Sequence, residues 1–439
     1  VNASSASRRR RAPQWLFTHA GLRAVILAVL TAVLALMAGR PDLLVAAAPL
    51  AIIAVWTIAE RPRGQVRLRF RTARDVVTEG QSNAVIVTAE GTEDAEILAT
   101  SVAPTPYIER RPRHGARAVD LSTADPGEAV EVSTGIDPQR WGLHPVGPVR
   151  AAAAGSWGAY MWGPETFAER TRRVLPAPEV FDTSAPAPHP RGLVGQHRST
   201  RPGDGSEFNT IRPFQWGDKL KRINWTHSAR TGELHVTSSY ADQDTHLALL
   251  VDAQLDLTPA GGEGPTTLDT SVRAAAAISE HFTRQGDRVS LQVVSGHMPQ
   301  RLPAGTGRRH ARRVLDVLSK ATPSAEHRVD FDRIRLGLPP GTLVVMVSPL
   351  ISPAILTRAA SLARSGLTVV AIDVLGESFN PTSKGESLDE LAWRIRQLER
   401  ALEIRRVQQA GVAVVPWRGP GSMDMVLQLL ARRGTGAMR

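Results

Sequence analysis

The sequence predicts a multidomain fold: a two-helix transmembrane hairpin, an all-β sandwich, and an α/β Rossmann-like domain. Three observations predict it. Two uncharged apolar runs, Ala24 to Gly39 and Leu43 to Ala59, are separated only by Arg40-Pro41-Asp42. Short alternating segments broken by turn residues fill the stretch that follows. From residue 244 onward, strand-like apolar runs alternate with helical patterns.

The hairpin, residues 21–60, follows from length and charge. Sixteen and seventeen helical residues span roughly 24–26 Å, slightly short of a ~30 Å hydrocarbon core. A three-residue connection forces the helices antiparallel, because backbone inside lipid must satisfy its own hydrogen bonds. Arginines lie outside both ends: Arg8–Arg11 and Arg23 before, then Arg61, Arg63, Arg67 and Arg69. The positive-inside rule places both ends, and the basic N-terminus of residues 1–20, in the cytoplasm. Trp15, Phe17 and Trp56 are expected at the same interface. The expected location is the cell membrane, multi-pass, with the lipid bilayer as one partner and the soluble domains cytoplasmic.

Residues 64–175 read as a small β-sandwich. Segments such as Val66–Phe70, Ala84–Ala89, Ala95–Val102 and Ala129–Thr134 are separated by Glu79-Gly80, Glu90-Gly91 and Asp125-Pro126-Gly127. Residues 176–240 read as a linker and signature segment: Pro176–Pro190 is a proline- and alanine-rich connector, and 191–240 is a polar segment dense in glycine, arginine and aromatic residues. The α/β domain, 241–439, carries strands at Leu247–Asp252, Val289–Val294, Leu343–Ser348, Val369–Val374 and Val412–Val415. Helices are expected at Leu268–Arg284, Arg308–Leu318, Ile355–Arg364, Leu388–Gln409 and Met423–Arg432. This alternation implies a parallel, doubly wound sheet whose sites gather at the strand carboxyl ends. Asp252, Ser348 and Asp373 stand there. The charged helix Leu388–Gln409 reads as a solvated amphipathic face.

Composition narrows the function classes. Of 439 residues, 42% are hydrophobic and 22% charged, a globular balance. Cysteine is absent, which excludes disulfides, cysteine-ligated metals and cysteine nucleophiles. The net charge is +11, and residues 1–70 hold ten arginines against only Asp42 and Glu60. The charge therefore belongs to the hairpin, the rest is nearly balanced, and no nucleic-acid partner is expected. No phosphate loop, dinucleotide fingerprint, zinc-protease helix or serine-nucleophile elbow occurs.

The most distinctive stretch runs from Gly205 to Arg230, GSEFNTIRPFQWGDKLKRINWTHSAR. Glu207, Phe208, Arg212, Phe214, Gly217, Asp218, Arg222, Ile223, Trp225, Ala229 and Arg230 carry its pattern, which resembles the signature of the bacterial domain-of-unknown-function 58 (DUF 58) family. The resemblance extends along the chain, since members look like a two-helix anchor, a β domain, this signature and a von Willebrand factor type A-like domain. On the residues alone, Phe208, Ile211, Phe214, Ile223 and Trp225 form a docking face, with Gly217-Asp218 as a turn. Glu207, Arg212, Asp218, Arg222 and Arg230 can form ion pairs fixing the segment against the α/β domain. The segment is either an interdomain buttress or a partner-binding surface.

Type A domains that bind a divalent cation use an Asp-x-Ser-x-Ser motif, a later threonine and a later aspartate. Here the resemblance places Asp252-Ala253-Gln254-Leu255-Asp256, with both serines replaced, Thr306 as the threonine, and Ser348-Pro349 at the later aspartate. No cofactor is expected; a loosened Mg²⁺ site at Asp252, Asp256 and Thr306 is the alternative. The expected role is a non-enzymatic, membrane-anchored scaffold or adaptor, with no catalytic residues. The resemblance implies a MoxR-type AAA+ ATPase as partner, in envelope-related assembly or maturation. The alternative is a metal-assisted hydrolase using the degenerate site.

Overall fold

A computed structural model describes residues 14–178, 202–240, 246–323 and 336–421, apart from 41, 123, 126, 260, 261, 263, 296–298, 340–341, 377–378, 380–387 and 420. The chain divides into two compact units, Val1–Leu175 and Pro176–Arg439.

The first unit contains β1 (Trp15–Phe17), α1 (His19–Ala38), α2 (Asp42–Ala59), β2 (Arg67–Thr72), β3 (Val76–Thr78), β4 (Asn83–Glu90) and β5 (Ile97–Val102). It continues through β6 (Ile108–Arg111), β7 (Ala116–Asp120), β8 (Val130–Pro138), β9 (Gly142–Val146), β10 (Val149–Ala154), β11 (Tyr160–Phe167) and β12 (Arg170–Leu175). Three sheets form, ordered β2-β4-β8-β6, β1-β11-β10-β5-β7 and β3-β12-β9. Strand β4 alternates strictly between buried and half-buried positions, because successive side chains point to opposite faces. Leu68, Phe70, Val85 and Val87 from the first sheet share one core with Leu98, Val149, Ala151 and Trp162 from the second.

The chain enters this sheet before it makes the helices. Trp15 pairs with Trp162 in an antiparallel register, their rings 5.9 Å apart edge to face. The Trp15 indole N–H donates to the Gly64 carbonyl at 2.8 Å, tying the strand before α1 to the backbone after α2. Thr18 caps α1 and bonds back to the β10–β11 turn, its amide to the Ala159 carbonyl at 2.8 Å and its hydroxyl to the Gly158 carbonyl at 2.7 Å. The hairpin is thus an insertion between β1 and β2, stapled at both ends. Residues 15–17 belong to the sheet, not to a basic tail, which corrects the expected boundary at residue 20. A three-residue strand is too short to show a period, and the helices separate it from its partners. Residues 1–13 lie outside the described residues.

The paired helices bury small residues and expose large ones. Ala28, Ala35, Ala54 and Thr57 are buried, while Leu30, Val33, Leu36, Met37, Val55 and Ile58 point outward. Gly39 closes α1 in the left-handed conformation (φ 62°), and Arg40 pairs with Asp42 at 2.8 Å in the connection. Among the described residues, α1 is long and apolar enough to cross a membrane.

The second unit starts with β13 (Pro202–Pro213), α3 (Trp225–Thr231) and β14 (His235–Tyr240). It continues with β15 (His246–Asp252), α4 (Thr267–Arg284), β16 (Arg288–Val294), β17 (Gln300–Gly305), α5 (Gly307–Leu318) and β18 (Leu343–Ser348). The last described elements are α6 (Pro353–Arg364), β19 (Thr368–Asp373), α7 (Leu388–Gln409) and β20 (Ala413–Pro416). One sheet runs β17-β16-β15-β18-β19-β20, parallel except for the β17 edge. The chain winds outward from β15 to β16, then returns to β18 on the other side, so the switch point lies between β15 and β18. Leu250, Val344, Met346, Leu356, Val369 and Ala371 belong to one buried cluster beneath α6 and α7. Helix α4 begins with a reciprocal cap between Thr266 and Asp269.

The signature segment has its own fold: residues 202–240 form an antiparallel hairpin, β13 with β14, holding α3 in its loop. The sequence hid β17, whose half-exposed edge carries Pro303 and lacks an apolar run. Most of the proline-rich connector (179–190 of 176–190), residues 191–201 and the helix expected at Met423–Arg432 lie outside the described residues.

Candidate functional site

The signature segment folds on itself. Arg212 lies on β13, opposite Val236 of β14, and its guanidinium grips the Asp218 carboxylate with two N–H groups at 2.8 and 2.7 Å. The Gln215 amide donates to the same carboxylate at 2.9 Å. The Arg212 guanidinium, followed by the Gln215 N–H, holds the Asp218 carboxyl below the usual carboxylate range, with Arg222 adding a weaker attraction. Gly217 takes φ 104°, which only glycine adopts without strain, and so closes the turn. Asn224 then caps α3 by accepting from the His227 amide at 3.0 Å. Ser228 anchors the helix to β14, its hydroxyl accepting from the His235 amide at 2.9 Å.

This framework pushes apolar side chains into solvent. Trp216 is fully exposed, Leu220 is 71% exposed and Trp225 68%, with Leu234 exposed beside them. Lys219, Lys221 and Arg222 are interleaved, and Arg230 is exposed on α3. The structure corrects two expectations. The Arg212–Asp218 pair ties the segment to itself instead of to the α/β domain. Ile223 is buried and Ile211 and Phe214 are half-buried, whereas Trp225 faces outward and takes no part in a buried docking face. Trp216 and Leu220, outside the expected docking face, are more exposed than Trp225. Their one available signal was a large apolar residue beside a glycine turn or between lysines. The side chains of Glu207 and Phe208 lie outside the described residues.

The second cluster stands at the switch point. Asp252, at the end of β15, is only 2% exposed. It accepts from the Ser348 hydroxyl at 2.7 Å and from the Gln254 amide at 3.1 Å. Burial pushes its carboxyl above the ordinary range, against the pull of Ser348 and Gln254. The Ser348 hydroxyl in turn accepts from the Leu350 amide at 2.9 Å, fixing Leu350 in a left-handed conformation (φ 52°). The expected cation ligands do not come together. Asp256 accepts from the Leu268 amide at 3.1 Å, at the start of α4. Thr306 bonds the Gly286 carbonyl at 3.2 Å, beside the amino end of β16. Gly305 pairs with Val289, whereas Asp252 pairs with Val294 at the other end of that strand. Thr306 and Asp252 therefore lie at opposite ends of the sheet. Among the described residues, no three acidic or histidine side chains converge. Sequence spacing counted residues but could not register β17, which runs antiparallel and carries Thr306 away.

Helix α7 covers the strand ends. Arg400 pairs with Asp373 and donates to the Pro349 carbonyl at 3.1 Å. Arg396 bonds the Ile351 carbonyl and pairs with Glu403 at 3.0 Å. Burial pushes the Asp373 carboxyl up, with Arg400 opposing. The charge pattern of α7 predicts a solvated face for both arginines; they clamp the loop after β18 instead.

Fold and site together define an α/β domain preceded by an aromatic-bearing hairpin, with a β-sandwich unit ahead of it. Residues 210–379 match the family described as "Protein of unknown function DUF58", so a DUF58 domain is present in this chain. Uncharacterized proteins of Mycobacterium bovis and Mycobacterium tuberculosis are 32% identical over 190 residues, 42% of this chain. The chain spans 59% of the length of these curated relatives. A solved Pseudomonas fluorescens alkylpurine DNA glycosylase AlkC, bound to DNA containing an abasic site analog, aligns with 29% of this chain and 38% of its own at 15% identity. Its TM-score of 0.15 carries no argument.

Proposed function

We propose that this chain is a membrane-anchored, non-enzymatic scaffold that captures a soluble protein partner through its signature segment. One observation carries the reading. Trp216, Leu220 and Trp225 stand in solvent on a turn and short helix held by the Arg212–Asp218 pair. Exposed large apolar groups clustered among basic residues mark interaction sites, and tryptophan is enriched among residues that dominate binding energy. A preformed loop also spends little entropy on docking.

The anchor reading rests on α1 and α2. Among the described side chains, their buried positions are alanines and a threonine, and the large side chains Leu30, Val33, Leu36, Met37, Val55 and Ile58 face outward. That inverts a water-soluble hairpin and suits helices packed within lipid. Arginine flanks orient both ends toward the cytoplasm, which makes the chain a multi-pass protein of the cell membrane with its soluble units inside. The stapling of β1 to β11 seats the sandwich at the hairpin's base, with Trp56 and Trp157 exposed nearby as interface anchors. The resemblance to DUF 58 proteins makes a MoxR-type AAA+ ATPase the partner, in envelope-related assembly or maturation. A von Willebrand factor type A-like domain offers a recognition face at its strand ends.

The test is crosslinking and affinity purification of the full chain from native membranes, with and without ATP analogues. Wild type should recover an AAA+ ATPase, and the Trp216→Ala/Trp225→Ala variant should lose it at equal expression. Recovery of the same ATPase by both would remove the signature's role. Its absence from both would remove the partner.

A further inference from the structure

Helix α7 is amphipathic in the wrong sense for a surface helix. Its inward face carries Trp393, Arg396, Gln397, Arg400, Glu403 and Val407. Its outward face carries Leu388, Leu391, Ile395, Leu398 and Leu402, between 47% and 84% exposed. These five follow a strict three–four spacing, the a and d positions of a heptad. The stripe is narrow, as in a coiled-coil seam, and lacks the wide apolar arc of a helix lying on lipid.

We infer that α7 pairs with α7 of a second copy of this chain, as a parallel, in-register two-stranded coiled coil. The seam is self-complementary: parallel pairing sets each of the five residues against itself, with Ile395 at a and Leu391 and Leu398 at d. Antiparallel pairing leaves one of the five without an apolar partner in either register: Leu388 faces Arg405 in one, and Leu402 falls beyond Leu388, the start of the partner helix, in the other. The flanks match as well. Arg394 at g and Glu399 at e are both exposed; Glu399 holds Arg396 of its own helix with one oxygen at 3.1 Å, and parallel pairing brings Arg394 of the other copy beside the same carboxylate, twice. Five such side chains cover roughly 500 Å² per copy, or about 1,000 Å² over the pair, the lower bound for a specific interface. The helix is already folded by its inner face, so pairing does not bear the cost of forming it. This inference stands independently of the proposed ATPase partner.

The chain has no cysteine, so single-cysteine variants report the pairing directly. Full-length Leu391→Cys and Leu402→Cys, oxidised in native membranes, should each form covalent dimers, because only parallel in-register pairing opposes both positions to themselves. Arg309→Cys, exposed on α5, is the control and should remain monomeric. In detergent, light scattering should show Leu398→Arg as a monomer with unchanged thermal midpoint. Glu399→Arg should weaken the dimer by about tenfold or more, through like charges across the seam. The swap Arg394→Glu/Glu399→Arg should restore it. Failure of both cysteine variants to dimerise would overturn the inference, as would crosslinks to another protein or to the chain's own C-terminal segment. Dimers that persist in Leu398→Arg, or a charge swap without rescue, would overturn it equally.

Discussion

Replacing Ser348 by alanine tests whether the switch-point carboxylate belongs to a closed structural bond or to a cation site. Two buried hydrogen bonds end on that hydroxyl: it donates to Asp252 at 2.7 Å and accepts from the Leu350 amide at 2.9 Å. Ser348→Ala leaves both partners buried without it, and each orphaned group costs about 1–3 kcal/mol. The sum is about 2–6 kcal/mol. For a domain of this size, 1 kcal/mol moves the midpoint by about 2–4 °C, so Tm should fall by roughly 4–24 °C. The assay is thermal unfolding of the full chain in detergent at pH 7, with and without millimolar Mg²⁺. In an Asp252→Asn background the same substitution should cost less, since the two residues are coupled. A fall below about 2 °C would refute the closed-bond account. So would a Mg²⁺-dependent rise in wild type that disappears in Ser348→Ala, because the hydroxyl would then serve a metal.

Asp252→Asn should show a pH-dependent gain. The native carboxyl is raised above its unfolded value, so its favourable contribution is complete below that value and is lost as pH rises through the native one. The Tm of Asp252→Asn relative to wild type should therefore climb as pH rises above about 4; a flat or falling difference contradicts burial as the cause. Arg400→Ala should destabilise by about 3–5 kcal/mol by leaving the Asp373 carboxylate buried without its cation, and Asp373→Asn should recover much of that loss in denaturant titrations. Carbonate washing should leave the full chain in the membrane fraction. Leu30→Arg, at about 2.5–3.5 kcal/mol for arginine near a helix centre, should shift it toward the supernatant. Wild type recovered in the supernatant would end the hairpin reading.

Elements with a clean period were legible in the sequence. The run Leu343–Ser348 is β18, and Leu388–Gln409 is α7, because a buried parallel strand is an unbroken apolar run and a long helix keeps its spacing. Short and edge strands were not legible. Strand β1 contributes three residues from the far side of the hairpin, and β17 is half-exposed with a proline in it. The site divided the same way. The Arg212–Asp218 pair was foreseeable as a local contact across a glycine turn. Which of Trp216, Leu220, Ile223 and Trp225 face solvent depends on how α3 is rotated against β14, and no spacing encodes that.

By itself, the amino-acid sequence determined the local matters: two apolar helices with arginine flanks, the repeat of strand and helix, and the signature from Gly205 to Arg230. Each depends on contacts between near neighbours or on burial of a periodic face. Tertiary structure alone decided three others. It placed Thr306 and Asp252 at opposite ends of one sheet and turned the α7 arginines inward. It also left the helix's leucines outward. Those outcomes depend on strand order and helix rotation, which are set by long-range packing, and a linear spacing carries neither.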